Sequence, residues 1–302
     1  MASLSSERSL RASGLKSTRG LSKLDKSRDM VLRHLNSDGS SLFFPLLKLL
    51  SLSNDLIHSA PRRGDNQLPV GHWRVFLHLC LVVQSLHKSQ GTSLEVAAMT
   101  PIRTSRAEIS AACQRNYTWD EAESVMHTLQ GHQLRVDYKH DVDGAKREGS
   151  VSFGLLSFAD VRKDQDEITF LLSPVLTALV VSTEANFTRL DLALLRLTPT
   201  TTALRLALLG SSINNPLCRQ TAVEPLAHWR EMLADDSTDS RTFLQRVRRG
   251  IEQVNAVSRD FDLLMEESRE RASNARGKAT VTGFRFLTRP KAQASLMLEG
   301  GE

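Results

Sequence analysis

Several side chains that can donate more than one hydrogen bond stand close together in the segment 239–257. The segment contains Arg241, Gln245, Arg248 and Arg249, and no acidic residue lies between Arg241 and Arg249. An arginine can donate two parallel hydrogen bonds to the edge of guanine, and a glutamine can pair in a similar bidentate way with adenine. This cluster therefore indicates contact with nucleic-acid bases, provided that one rigid element presents the four side chains together.

The apolar residues of the same segment predict that this element is a helix beginning near Asp239. They recur at i, i+4, i+8 and i+11, which places them on one face at 3.6 residues per turn. These residues are Phe243, Val247, Ile251 and Val254. The cationic cluster then lies on the opposite, outer face. The alternative interpretation is an ordinary solvated face, supported by an i,i+4 ion pair such as Arg248–Glu252.

Two strands with a basic connection follow this helix. FDLLME and ATVTGFRFL have strand character, and four basic residues lie in or beside the tip between them: Arg269, Arg271, Arg276 and Lys278. An amphipathic helix within TAVEPLAHWREMLADD precedes the basic helix, with a turn at 234–240. Helix, turn, helix and hairpin is the order of a winged helix, whose wing contacts phosphate or the minor groove. The alternative for the wing residues is a flexible charged loop.

The same order of elements occurs earlier in the chain. SRAEISAACQR and TWDEAESVMHTLQ predict two helices, the second starting at a capping box of Thr118 and Glu121. A hairpin follows near Leu134, and its tip carries Lys146 and Arg147. The second helix is acidic near its N-terminus, at Asp120, Glu121 and Glu123. Because these carboxylates would repel phosphate, we do not expect this helix to enter a groove and recognise bases. We expect the unit instead to touch the DNA backbone with other residues or to form a dimer.

Leucine-rich segments before the second unit predict two more helices. They cover 187–197 and 201–212, are separated by Pro199, and have Thr188 and Thr201 as candidate N-caps. Together with the patterns above, they predict an α+β fold that is mainly helical and contains two tandem winged-helix domains.

Length and charge distribution predict the domain organisation. A chain of 302 residues is long enough for two domains. We expect winged-helix domain 1 at 36–182, for dimerisation or backbone contact, and winged-helix domain 2 at 183–290, for sequence-specific DNA binding. Residues 1–35 carry eight basic and three acidic residues, which indicates a disordered arm that either solubilises the protein or contacts phosphate. Residues 291–302 are predicted to be a flexible tail.

Other classes of function lack the residues they need. The three cysteines form no CxxC pair, so no zinc site or disulfide framework is indicated and a reducing cytoplasm is expected. No apolar run approaches the roughly 18 residues of a membrane-spanning helix. Neither Tyr117 nor Tyr138 stands beside a His-x-His pair, GLKSTRG is not a phosphate loop, and HExxH and GxSxG are absent. We therefore expect a cytoplasmic binding protein, not an enzyme, with no cofactor and no metal.

At this point the chain resembles the iteron-binding replication initiators of bacterial plasmids, which consist of two winged helices in tandem. Three stretches carry the resemblance: SNDLIHS at 53–59, the segment 168–212, and 239–268 with ATVTGFRF at 279–286. The resemblance covers roughly 50–288. The chain departs from the family pattern in lacking a tyrosine in the helix at 201–210 and in the acidic segment before the basic helix, where Asp235, Asp236 and Asp239 stand.

The resemblance implies a protein that binds direct repeats of double-stranded DNA at an origin. Such proteins open nearby AT-rich DNA, help to recruit the host initiator and the replicative helicase, and act as autorepressors when they form homodimers. Two alternatives stay open. One is a winged-helix transcription regulator with no part in replication, and the other is a winged-helix module that binds partner proteins.

Overall fold

The computed structural model describes residues 49–61, 67–142, 145–181, 187–214, 219–270 and 279–291, without the side chains of 49 and 137–148. The predicted N-terminal arm lies outside these residues, as does the predicted C-terminal tail except for Lys291. None of the described helices is both long and apolar enough to cross a membrane.

The described elements alternate short helices with short strands. The helices are α1 Asn54–Ile57, α2 Val70–Gln90, α3 Leu94–Met99, α4 Arg106–Cys113, α5 Trp119–Gly131, α6 Pro174–Val181, α7 Leu192–Leu197, α8 Thr201–Ile213, α9 Leu226–Leu233 and α10 Ser240–Val257. The strands are β1 Leu49–Ser53, β2 Ala60–Pro61, β3 Ile102–Thr104, β4 Gln133–Val142, β5 Ala145–Gly154, β6 Leu156–Arg162, β7 Glu167–Leu172, β8 Phe187–Asp191, β9 Glu224–Pro225, β10 Phe261–Glu270 and β11 Thr280–Pro290. This composition confirms the predicted α+β class.

The chain forms two compact units that alternate along the sequence. The first is made chiefly of Arg74–His132 and Phe153–Ala185, and the second of Ser51–Trp73, Gln133–Ser152 and Asn186–Glu302. The predicted limits of the two winged-helix domains, 36–182 and 183–290, are single stretches and stay a prediction.

The first unit contains a winged helix built from β3, α4, α5, β6 and β7. Both helices of its helix-turn-helix begin at capping boxes, Ser105 with Glu108 and Thr118 with Glu121. The predicted inner faces are buried, with Ile109 on α4 and Met126 on α5 among the most enclosed residues. The three strands form an antiparallel sheet in the order β3–β7–β6. The hairpin β6–β7 is therefore the wing of this unit.

The wing predicted for this unit, the hairpin near Leu134, was the wrong hairpin. Its strands β4 and β5 do pair, but the third strand of their sheet is β2, and Gln133–Ser152 groups with the second unit. The backbone N–H of Leu155 donates to the carbonyl of His132 at 3.1 Å, so the chain leaves and re-enters the first unit at adjacent points. The residues between them are an insertion. The edge of β3 that a wing must join is occupied by β7.

The second unit repeats the same order of elements without the insertion. Strand β9 precedes α9 and α10, and the hairpin β10–β11 follows, in a sheet of order β10–β11–β9. In both units the first strand pairs with the last one, which is the arrangement of a winged helix. Two winged helices in tandem are thus confirmed as the architecture.

Helix α10 buries the face that its spacing predicts. Phe243, Val247, Ile251 and Val254 are all at most 9% exposed. Part of this face packs on α8, where Gly250 permits a close approach, since a Cβ there would lie 2.8 Å from Leu206 Cδ1. Burial of one face fixes the direction of the opposite one, so the core of the second unit sets the direction of the cationic side chains.

The segment 187–197 is a helix only in its second half. Its first residues form β8, in which alternate side chains are buried, and β8 pairs with β1. Thr188 is therefore not a helix cap, and its hydroxyl donates to Asn54 Oδ1 at 2.5 Å instead. The cap of α7 is Asp191. The next helix is capped by Thr200, one residue before the predicted Thr201.

Replacing Gly283 by alanine should lower the free energy of unfolding by about 1–3 kcal/mol, as other overpacked sites do. In the β11–β9 ladder Gly283 lies opposite Pro225, and a Cβ at Gly283 would stand 2.5 Å from the Glu224 carbonyl oxygen. That neighbour is backbone and cannot rotate away. Urea denaturation followed by circular dichroism measures the change.

The matched control for this substitution is Gly131→Ala. A Cβ at Gly131 would meet nothing within 4 Å, and alanine has the higher helix propensity. Gly131→Ala should therefore be neutral or slightly stabilising. Equal urea midpoints for the two variants would show that β9 tolerates displacement from β11.

Candidate nucleic-acid interface

The N-terminus of α10 is fixed by Asp239. Its carboxylate accepts hydrogen bonds from the backbone N–H groups of Arg241 at 3.2 Å and Thr242 at 2.8 Å. It also accepts from the Thr242 hydroxyl, and these bonds hold the pKa of Asp239 below its ordinary value. Because the amides of Arg241 and Thr242 already bind a carboxylate, they are not available for a phosphate. Side chains are therefore the groups that this end of α10 mainly offers to an anionic ligand.

In the acidic turn before α10, Asp235 is tied to the helix, whereas Asp236 is fully exposed. Asp235, whose side chain is 5% exposed, accepts from the backbone N–H and hydroxyl of Ser237 and pairs with Arg246 at 3.2 Å. Burial acts to raise the pKa of Asp235, but the bonds from Ser237 and Arg246 outweigh it and the pKa is lowered. The acidic segment thus connects the turn of the helix-turn-helix to α10.

Three of the predicted base-contacting side chains are exposed on the outer face of α10: Arg241, Gln245 and Arg249. Within the described residues these three side chains make no hydrogen bond or ion pair to the protein. Arg241 lies in the first turn of the helix and Arg249 two turns further on. The face therefore presents two guanidinium groups and one amide whose hydrogen-bonding groups are free for a ligand.

Arg248 and Arg269 are held by a carboxylate that was not among the predicted site residues. Glu267 on β10 accepts a hydrogen bond from Arg248 of α10, and from Arg269 at 2.7 Å. The alternative pair Arg248–Glu252 does not form in the described structure. Glu267 continues the inward-facing register of Phe261 and Leu263 on β10. This alternation places Glu267 beside α10, and it is the sequence signal that could have identified Glu267 as a partner of Arg248.

The remaining predicted wing residues, Arg271, Arg276 and Lys278, lie outside the described residues. The hairpin that carries them is described up to its last pair, Glu270 opposite Thr280. A shift of register between Ser268 and Arg269 leaves Thr282 as an extra residue on β11, a β-bulge just before the tip. The position of these three side chains relative to α10 therefore stays a prediction.

The first helix-turn-helix has its own charge pattern. Lys163, at the tip of the β6–β7 wing, binds Asp120 at 2.7 Å and Glu123 at 2.9 Å, and Glu121 binds Arg115 at 2.6 Å. The predicted acidic N-terminus of α5 is thus largely neutralised within the unit, which the sequence pattern did not indicate. The described part of the unit presents no outer row of unpaired arginines on α5 comparable to that on α10.

The other predicted contact residues of the early hairpin, Lys146 and Arg147, lie in β5, and their side chains are outside the description. Metal binding has no visible basis in the part of the chain that is described, since no group of three or more His, Cys, Asp or Glu side chains is placed to hold an ion.

Comparison with known proteins supports the architecture. No protein-family model and no curated protein sequence matches the chain. Among solved structures, the Pi initiator protein in complex with iteron DNA matches with a TM-score of 0.53 and 10% identity, covering 82% of this chain and 98% of that chain. Domains 2 and 3 of RctB match with a TM-score of 0.43 and 10% identity, covering 77% and 86%. At these identities the likeness to the Pi protein establishes the fold.

Proposed function

We propose that this chain is a replication initiator that binds direct repeats of double-stranded DNA at an origin, with α10 in the major groove. The observation that carries the proposal is the outer face of α10, where Arg241, Gln245 and Arg249 are exposed without partners among the described residues. The fold adds support, because the Pi protein that shares it was solved on iteron DNA.

The helix and the wing have different tasks in this proposal. The exposed arginines and glutamine of α10 contact base edges, which gives sequence preference. The wing, through the basic residues of its tip, contacts phosphates, which gives affinity without preference. A protein bound in this way to successive repeats could open an adjacent AT-rich segment, recruit the host initiator and helicase, and as a homodimer repress its own gene. These later steps rest on the family resemblance.

Footprinting on the DNA that flanks the coding sequence tests the proposal. An initiator should protect a tandem array of direct repeats spaced by about two helical turns, next to an AT-rich block. Protection of a palindrome would indicate a dimeric transcription regulator instead. Failure to bind any DNA at low salt would favour a module that binds proteins.

The salt dependence of binding is expected to be steep. With about six phosphate contacts, log K should fall with log salt at a slope near −5, because each neutralised phosphate releases counterions. Titration of a labelled repeat between 50 and 200 mM salt by fluorescence anisotropy measures the slope. A flat response would contradict DNA binding altogether, since no interface of basic side chains and phosphate can be insensitive to salt.

A further inference from the structure

The two oxygens of Glu267 are divided between the helix and the wing. Oε1 accepts from Arg248 of α10, and Oε2 accepts from Arg269 of β10 through Nη2 at 2.7 Å and Nε at 3.1 Å. The carboxylate side chain is 13% exposed, whereas the arginine side chains are 52% and 58% exposed. A mostly buried acid thus links two arginines that point towards solvent, one from each DNA-contacting element.

The charge of this cluster is lower than its arginines suggest. The hydrogen bond from Arg248, assisted by Arg269, holds the pKa of Glu267 below its ordinary value, although burial acts in the opposite direction. The carboxylate is therefore ionised at neutral pH, and the three groups together carry one positive charge. Affinity for DNA of arbitrary sequence depends on how many phosphates are neutralised, so the cluster binds such DNA less strongly than two free arginines would.

We propose that Glu267 is a specificity-determining residue that withholds Arg248 and Arg269 from DNA of arbitrary sequence. It also holds α10 and strand β10 of the wing in a fixed relative position. This inference rests on the proposed DNA-binding function. The guanidinium groups are more than half exposed, so phosphates can reach them and exchange with the carboxylate. This exchange contributes little to the binding free energy unless the base contacts of α10 form at the same time. A matched sequence is thereby favoured over the rest of the DNA.

Glu267→Gln in the full-length protein tests the inference, with Glu266→Gln as the matched control. Glu266 is the adjacent acid on the same strand, but it points the other way and pairs with Arg285 at 2.6 Å. Affinities for a duplex selected from a random pool and for its scrambled form are measured at 100 mM salt. One additional phosphate contact corresponds to a factor of about 3–10 at such salt.

The expected result is that Glu267→Gln binds scrambled DNA about 3–10 times more tightly and loses at least a comparable factor in its preference for the selected duplex. Glu266→Gln should keep the preference of the wild type. In addition, Arg248→Ala should weaken binding to scrambled DNA more in the Glu267→Gln background than in the wild type, because only there is Arg248 released from its ion pair. A structural role alone would not produce that dependence on background.

The possible contrary results separate the two proposals. If the wild type shows salt-dependent, sequence-preferring binding and Glu267→Gln behaves like Glu266→Gln, the role of Glu267 is refuted while the proposed function stands. The same conclusion follows if Glu267→Gln weakens binding to both duplexes equally. If the wild type binds no DNA at low salt, both proposals are overturned.

Discussion

Replacing Arg241 and Arg249 by alanine is expected to remove most of the preference for the target repeat, at about 1–3 kcal/mol for each arginine. Both side chains are exposed on the outer face of α10, without partners in the described structure. The two residues are eight positions apart, or about 12 Å along a helix, so their contributions should add. The double variant should therefore lose roughly 2–6 kcal/mol of discrimination, at least a 30-fold change.

Competition between labelled target and scrambled duplex measures this loss. The matched control is Arg246→Ala, which removes the same charge from the same helix, where the guanidinium is paired with Asp235 at 3.2 Å. The control should weaken binding to both duplexes slightly and leave the preference intact. An unchanged preference in the Arg241/Arg249 double variant would mean that α10 does not enter the groove. Thermal unfolding of all the variants checks that the fold is retained.

The sequence predicts α10 well because its requirements are local. The buried face needs apolar residues at helical spacing, and Phe243 and Val247 provide them. The start needs a capping side chain, and Asp239 provides it. Neither requirement depends on a distant part of the chain. The exposure of Arg241 and Arg249 follows from the burial of the opposite face.

The wing of the first unit could not be predicted in this way, because strand partners are not local. Alternating residues near Leu134 correctly indicate a hairpin, but the pattern does not say which edge the hairpin joins. The partner of β3 is β7, whose register places Ile102 opposite Phe170 across a long stretch of sequence. A hairpin inserted between α5 and β6 satisfies the same local pattern as a wing. Only the strand pairing, in which β3 pairs with β7 and not with β4 or β5, distinguishes the inserted hairpin from the wing.

Charge partners were missed for a related reason. The helical spacing of Arg248 and Glu252 suggests a pair, yet the structure places Glu267 of β10 closer to Arg248. Likewise, Lys163 neutralises Asp120 from a different hairpin. Ion pairs across elements depend on how the elements pack, so a sequence pattern predicts the presence of charge more reliably than its availability.

Replacing Trp229 by alanine is expected to lower the free energy of unfolding by about 3–5 kcal/mol, as deletion of a buried large aromatic side chain does. Trp229 is 2% exposed, and its ring stacks on Phe284 with centroids 5.3 Å apart and meets the edge of Phe286 at 4.7 Å. Its Nε1–H donates to the Phe284 carbonyl at 2.7 Å. The substitution therefore leaves both a cavity and an unsatisfied acceptor. Urea denaturation followed by circular dichroism measures the loss.

Two control variants separate the contributions to this loss. Trp229→Phe keeps a six-membered aromatic ring but removes the N–H donor and the smaller ring of the indole, and it should cost about 1–3 kcal/mol, less than Trp229→Ala. Trp119→Ala removes the same side chain from the partly exposed start of α5, where it lies under Arg106, and should cost less than Trp229→Ala. Equal losses for Trp119→Ala and Trp229→Ala would contradict the assignment of Trp229 to the core.

The same variant also tests how specificity depends on alignment. Phe284 of β11 contacts Phe243 of α10, with ring centroids 6.2 Å apart, so the aromatic cluster connects α10 to strand β11 of the wing. At a temperature where Trp229→Ala is still folded, its preference for the target repeat should fall more than its affinity for scrambled DNA, because base contacts tolerate less displacement than phosphate contacts. If the preference survives, α10 alone carries the recognition and the wing contributes affinity only.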